Sequence, residues 1–326
     1  MRRIALLALW ALMMAPAPAA TQDAWPSKAV RILVPYAPGG ATDIAARIVG
    51  ERLKQATGQT FVVENRPGAF GIIAVEEMAR SKPDGYTLMV GNPSTNVITP
   101  IVHKKRMSID YGNSVVAITR LVELPSFLLV TAKDFAPKTL PELIAHAKAN
   151  PDKLLYGSAG VGSFPHYSME VLSRQAGIKM VHVPNKGGGS AYLKDLMTGD
   201  IQVGTMNVAT ATPVLKNGTV RAIAVTEQQR LAAHPDIPSF GELGFSRPGS
   251  GFWHGLFAPA ATPRPVLEAL HKAVLEALEH PQVVDAFNKR GMLRIPNPSL
   301  DDSKEWLAKE TAAWTKITAD VPIDFE

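Results

Sequence analysis

The chain of 326 residues has no cysteine. That excludes disulfides, thiol catalysis, cysteine-ligated zinc and an N-terminal lipid anchor on cysteine. Aromatic residues make up only 7%. No run of clustered Lys and Arg suggests a phosphate-tracking face, and with a formal charge of +5 no nucleic-acid partner is expected. The eight histidines lack a His-x-x-x-His spacing, which argues against a metal site. The glycine-rich segments follow neither the Gly-x-Gly-x-x-Gly nor the Walker Gly-Lys-Ser/Thr order, and no cofactor is expected. A Gly-x-Ser-x-Gly nucleophile elbow is missing too.

The long apolar run that does occur is at the start. Met1-Arg2-Arg3 is a positive segment, Ile4 to Met14 is apolar, and Ala17-Pro18-Ala19 gives a small-x-small cleavage pattern. These features read as a secretory signal over residues 1–19, cut near Ala19 or Ala20. The apolar run is short for a bilayer span. Export with no other anchor points to a bacterial periplasm, and loss of Arg2 and Arg3 leaves a charge of about +3. An apolar fraction of 46% fits a soluble globular chain, long enough for two domains.

The stretch from Val30 to Asp43 sets the pattern for the rest. Val30–Pro35 reads as a buried strand, Pro38-Gly39-Gly40 as a turn, and Thr42–Thr57 as a helix closed by Gly58. Strand, glycine turn and helix together aim free backbone N–H groups at an anion. Thr60–Glu64 is a second strand with the loop Asn65 to Gly71 and a helix over 72–80. Tyr86–Val90 is a third strand that exits through Gly91, Asn92 and Ser94, and Val115–Thr119 is a fourth.

The second half repeats the order. Phe127–Thr131 leads to a helix at Pro141–Ala149. Lys153–Tyr156 leads to the loop Gly157 to His166, which contains Ser158, Gly160 and Ser163, and to a helix ending at Gly177. Met180–Val183 leads to Asn185-Lys186-Gly187-Gly188-Gly189-Ser190 and a helix to Met197. Ile201–Met206 exits at Asn207, and Val220–Thr226 follows. Gly251–Pro259 reads as a strand returning to the first half, with closing helices at 266–278, 283–289 and 303–318. The expected fold is therefore α/β with a mostly parallel sheet in each of two lobes. Lobe 1 is 24–123 and 246–326, and lobe 2 is 124–245. A ligand cleft lies between them, at the carboxyl ends of the strands.

Ser158, Ser163 and His166 invite a hydrolase reading, but no acid is placed to orient the histidine. Capping and polar lining are the commoner roles for such helix-start residues. Asp43 fits a general base or a residue placed for the helix dipole. No enzyme signature emerges, and the chain reads as a non-enzyme.

Several blocks together resemble one family. They are Val34-Pro35-Tyr36-Ala37-Pro38-Gly39-Gly40-Ala41-Thr42-Asp43, Val63-Glu64-Asn65-Arg66-Pro67-Gly68-Ala69, Pro83-Asp84-Gly85-Tyr86-Thr87-Leu88, Gly157 to His166, Lys186-Gly187-Gly188, Val220 to Thr226, Pro235-Asp236-Ile237-Pro238 and Trp253 to Pro259. The family is the extracytoplasmic solute receptors of tripartite tricarboxylate transporters, also called the Bug family. The resemblance spans the mature chain. It implies a type II periplasmic binding protein fold, two lobes closing on a carboxylate-bearing ligand, and membrane subunits that carry out the transport. It also implies that backbone groups of Ala37 to Asp43 hold one carboxylate, partly through water. The loops Ser158 to His166 and Lys186 to Ala191 would complete the clasp.

Two positions depart from the family pattern: Asn185 stands where Tyr is frequent, and Gly204 where Asp is usual. The stretch from His103 to Asn113 also matches poorly. A carboxylate would be repelled by Asp43 in direct contact. That residue therefore sits behind the loop, acts through water, or meets an amino acid's ammonium. Lys186 is the well-placed cation among the loops. Tyr36, Phe70, Phe164, Phe252 and Trp253 are candidates for apolar walls or for ordinary packing between lobes. The ligand class is a di- or tricarboxylate or an aromatic carboxylate, and a monomer is expected. Presentation of the ligand to a membrane sensor kinase is the alternative to delivery for transport.

Overall fold

A computed structural model describes residues 25–185 and 189–324. The signal segment, Lys186, Gly187 and Gly188 lie outside the described residues. The β-branched run Val30–Val34 forms β1, buried on both faces because helices cover each side of its sheet. A turn leads into α1 (Ala41–Thr57), which ends at Gly58; that residue takes φ 73° and donates its amide to Lys54 O. β2 (Phe61–Asn65), α2 (Ile72–Ala79) and β3 (Thr87–Gly91) follow, then short helical turns over 94–102 and β4 (Val115–Glu123).

The next group is β5 (Ser126–Thr131), α3 (Leu140–Ala149), β6 (Leu155–Ser158), α4 (Phe164–Ala176) and β7 (Val181–Pro184). It continues through α5 (Gly189–Thr198), β8 (Val203–Asn207), α6 (Val208–Leu215) and β9 (Val220–Val225). β10 (Trp253–Pro259), α7 (Arg264–Glu279), α8 (Pro281–Asn288), β11 (Leu293–Arg294) and α9 (Leu300–Asp320) complete the chain. No helix among the described residues is long and apolar enough to cross a membrane.

Two sheets result. One has the order β11-β4-β10-β3-β1-β2 and the other β7-β6-β8-β5-β9. Leaving out β11, both follow one plan. A first strand (β1, β6) lies between a second (β2, β7) and a third (β3, β8), all parallel. An antiparallel strand (β10, β5) then separates the third from the last (β4, β9). The sheets are thus mixed and not mostly parallel. The antiparallel strand in each is the one that enters from the other lobe, so it arrives running the opposite way. The fourth strand also runs past Thr119 to Glu123, and α6, which carries Pro213 inside it, was not among the expected helices.

Lobe 1 buries α1 and α7 on one face of its sheet and α2 and α9 on the other. Trp314 is fully buried in the second cluster, which also takes in Phe164 and Tyr167 from α4 of lobe 2. Where the chain crosses between lobes, Leu124 N donates to Phe252 O at 2.7 Å. Arg247 on the returning segment pairs with Glu123 at the end of β4 and with Glu227 just after β9. Buried Glu310 on α9 accepts from Trp314 Nε1 (2.9 Å), Trp253 Nε1 (3.3 Å) and Ser250 N (3.2 Å). Gly249 takes φ +57° there, and a Cβ on it would lie 2.5 Å from Trp314 Nε1.

Candidate ligand site

The turn before α1 presents Ala37, Pro38 and Gly39 to solvent, with Gly40 and Ala41 half-buried and Thr42 and Asp43 buried. Gly39 adopts φ +87°, which reverses the chain, and Gly40 stands at the N-cap without a side-chain cap. Ile44 N reaches Gly40 O, but among the described residues the amides of Ala41, Thr42 and Asp43 meet no acceptor. Three uncapped amides at the positive end of a 17-residue helix, at the carboxyl end of β1, are an arrangement that can receive an anion, a candidate anion seat.

Asp43 does not occupy that seat. Its Oδ2 accepts from Gly39 N at 2.9 Å and Arg47 Nε at 3.0 Å, and its Oδ1 from Asn65 Nδ2 at 3.0 Å and an Arg47 Nη at 2.9 Å. Burial pushes the carboxyl up, and the hydrogen bonds from Arg47, Gly39 and Asn65 more than offset this, so its pKa lies below the usual carboxylate value. Both oxygens are committed, which leaves no room for a ligand ammonium and places Asp43 behind the loop. Asn65 also donates to Tyr36 O at 3.0 Å, and so pins the loop from the end of β2. Arg66 ties to Glu64 and Glu77, which Arg31 also pairs, in a partly exposed network of charges.

Next to this turn, Tyr36 OH donates to Asn92 Oδ1 at 2.9 Å. The same Asn92 oxygen accepts from Ser94 N at 3.0 Å, so the buried Asn92 is a bracket between two loops. Ser94 Oγ in turn accepts from Phe164 N, the first amide of α4, at 3.1 Å.

On lobe 2, the loop from Ser158 to Ser163 is closed on itself. Ser158 is fully buried; its Oγ accepts from Gly160 N at 3.1 Å and lies 2.6 Å from His182 Nε2. Ser163 Oγ donates to Gly160 O at 2.7 Å, and Gly162 N donates to His166 Nδ1 at 3.0 Å. His166 is buried and stacks on His182 with centroids 3.6 Å apart. Ser163 and His166 therefore form no nucleophile–base pair. Ser158 and His182 do touch, but the serine is sealed from solvent.

Several sequence-named residues thus move off the cleft surface. Ser158, His166 and Asp43 support loops from behind. Trp253 is fully buried, with Nε1 on Glu310 and its ring edge-on to Trp306, and so is no apolar wall. Asn207 caps α6, its Oδ1 accepting from Thr210 N at 2.9 Å. Phe164 packs against Phe252 and Trp314 between the lobes. Tyr36, Asn92 and Ser94 do come together, and hydrogen bonds join them to the start of α4, next to Ser163 and Gly160. Ser190 lies in the first turn of α5. Gly204 pairs in register with Gly157, and the Tyr192 ring lies over both.

Arg47, Asn65, His182 and His254 were not singled out from the sequence. His254 lies 3.2 Å from Thr42 Oγ1, beneath the turn. Only Arg47 carried a signal, as the i+4 partner of Asp43; the others come from distant strands. A groove of about 490 Å³ opens at the far end of α4 from the glycine loops, lined by Arg174, Gln175 and Asp320 beside Val171, Ile317 and Val321. No group of three potential metal ligands occurs among the described residues.

Known proteins resemble this chain over most of its length. Residues 45–322 match the model of the tripartite tricarboxylate transporter family receptor. A UPF0065 protein of Bordetella pertussis is 33% identical over 302 residues, covering 93% of this chain and 91% of that one. Among solved structures, the periplasmic binding protein BugD superposes with TM-score 0.82 at 28% identity, over 92% of this chain and 99% of that one. Rpa4515 of R. palustris with adipate gives 0.83 at 29% identity, with coverage of 92% and 99%. MatC of Rhodopseudomonas palustris with bound malate gives 0.79 at 30%, with coverage of 90% and 99%. With its two matching sheets, its uncapped glycine turn and this match, the chain belongs to the Bug-type receptors of the tripartite tricarboxylate transporter family, and has their periplasmic binding protein fold.

Proposed function

We propose that this receptor captures a small organic carboxylate in the periplasm and hands it to the membrane subunits of a tripartite tricarboxylate-type transporter, without chemistry of its own. The observation that carries the reading is the uncapped start of α1, with Asp43 tied back to Gly39, Arg47 and Asn65. One carboxylate accepts from the amides between Gly39 and Asp43. The loop around Gly160 closes from lobe 2 (124–245) onto lobe 1 (24–123 and 246–326). The favoured class is a di- or tricarboxylate, in line with the adipate and malate of the two neighbours, and an aromatic carboxylate comes second.

The helix terminus contributes roughly 0.3–1 kcal/mol, up to about 2 when partly buried. Micromolar affinity needs about 8 kcal/mol, so hydrogen bonds and closure supply most of it. A thermal-shift screen of the mature protein against dicarboxylates, tricarboxylates, aromatic acids and amino acids tests this. A ligand at about a hundred times its Kd adds roughly 2.7 kcal/mol. A shift with carboxylates supports the reading, and no shift at millimolar concentration across the panel overturns it.

A further inference from the structure

We infer that Ser94 is an interlobe latch: its hydroxyl takes the place of the missing N-terminal cap of α4 and so holds lobe 2 against lobe 1. The inference rests on the two-lobe receptor reading and adds a positioning residue to it. Helices begin with amides that need an outside acceptor. In α4 the residue at the cap position, Ser163, makes no cap hydrogen bond, because its hydroxyl is turned to Gly160 O. The second residue of the helix is Pro165, which has no amide proton. Phe164 and His166 then carry the first-turn amides that lack a helical acceptor, and the Phe164 amide finds Ser94 Oγ, 70 positions earlier in the chain and on the other lobe, at 3.1 Å.

The geometry on both sides is built for this bond. Ser94 is fixed by its own amide on Asn92 Oδ1, and Asn92 by Tyr36 OH, the residue that opens the glycine turn of lobe 1. On the other side, the Phe164 ring sits in lobe 1's apolar cluster, 5.1 Å from Phe252 and 5.7 Å from Trp314. If the lobes part here, one amide loses its acceptor and an aromatic ring is exposed, so both effects favour the arrangement seen. The chain Tyr36–Asn92–Ser94–Phe164 also links the anion seat to the lobe-2 loop directly. A ligand that orders the glycine turn thereby steadies the latch, which is differential binding to the closed state.

The cysteine-free sequence allows a clean test. Gln55→Cys on α1 and Lys148→Cys on α3 place one spin label on each lobe at exposed positions, and pulsed electron spin resonance reads the distance between them. The parent should give one main distance without ligand. Ser94→Ala should shift a substantial fraction of molecules to a second distance, while Ser94→Thr, which keeps the hydroxyl, should restore the parental distribution. An unchanged distribution in Ser94→Ala overturns the latch. For any carboxylate found by the thermal screen, Ser94→Ala should raise the dissociation rate about fivefold with little change in association, as expected for one lost hydrogen bond. The label distances need no ligand, so failure of the carboxylate reading and failure of the latch are told apart.

Discussion

The rings of His166 and His182 stack almost in parallel, with centroids 3.6 Å apart and 17° between planes. Gly162 N donates to His166 Nδ1, which fixes the neutral ring with its proton on Nε2. Tyr156 lies over His182, and its hydroxyl donates to Glu170, so the stack is closed in by β6, β7 and α4. Burial, with the nearby His182, lowers His166 to about 3; burial lowers His182 to about 4 and, beneath the glycine turn, His254 to about 3.

All three histidines are therefore neutral in the fold, whereas their unfolded value is 6.5. The unfolded chain binds more protons below that value, so the stabilisation is complete above it and is lost as pH falls towards 4. At pH 5 the loss is roughly 2 kcal/mol for each histidine. The expected outcome is a fall in Tm on the order of 10 °C between pH 7 and pH 5. A flat profile over that interval would show that the stack is solvated.

Asp43 is predicted to act on loop geometry and not on the ligand. Asp43→Asn turns an NH2 towards the Arg47 and Gly39 donors and should cost about 2 kcal/mol of apo stability. Ligand affinity should fall with it, because the turn is no longer held. Urea denaturation of the apo protein gives the first quantity. Unchanged stability would place the carboxylate's role elsewhere.

Neighbouring glycines should respond in opposite ways. Gly39 has φ +87°, so Gly39→Ala introduces strain of about 1–2 kcal/mol and should lower the apo Tm by several degrees. Gly40 has φ −76°, and the nearest atom to a Cβ there is Ala37 O, at 3.9 Å. Gly40→Val should leave apo Tm nearly unchanged and abolish the ligand-induced shift, because the side chain covers the anion seat. Calorimetry of both variants, with and without ligand, separates the two effects.

At the crossings, Arg247 lies between Glu123 and Glu227, with all three side chains mostly buried. Arg247→Met leaves two carboxylates facing each other without the cation. Breaking a fully buried pair costs about 3–5 kcal/mol, and partial exposure here reduces the expectation to about 2. The loss should be largest at neutral pH and shrink as the carboxylates protonate below pH 5. A loss independent of pH would mean that packing of the arginine stem, and not its charge, matters.

What the sequence determined by itself was everything carried by local pattern. The β-branched run at Val30, the glycines at 39, 40 and 58, and the repeat of strand, glycine loop and helix placed the elements and both lobes' loops. The blocks around Pro38-Gly39-Gly40 and Asn65-Arg66-Pro67-Gly68 resemble those of the family, and in them Gly39 and Gly68 take the positive φ that favours glycine. Tertiary structure alone decided the direction of the crossing strands, since pairing partners are set by closure of the whole sheet. It also decided which polar residues face the cleft. Asp43, Ser158 and His166 sit in loops that look ligand-facing in sequence, yet partners from Asn65, Arg47, Gly162 and His182 draw them behind the surface. Trp253 became core for the same reason, through Glu310 on a helix 57 positions away. A hydrogen bond's direction depends on where distant elements bring its partner, and that information arises only when the chain is folded.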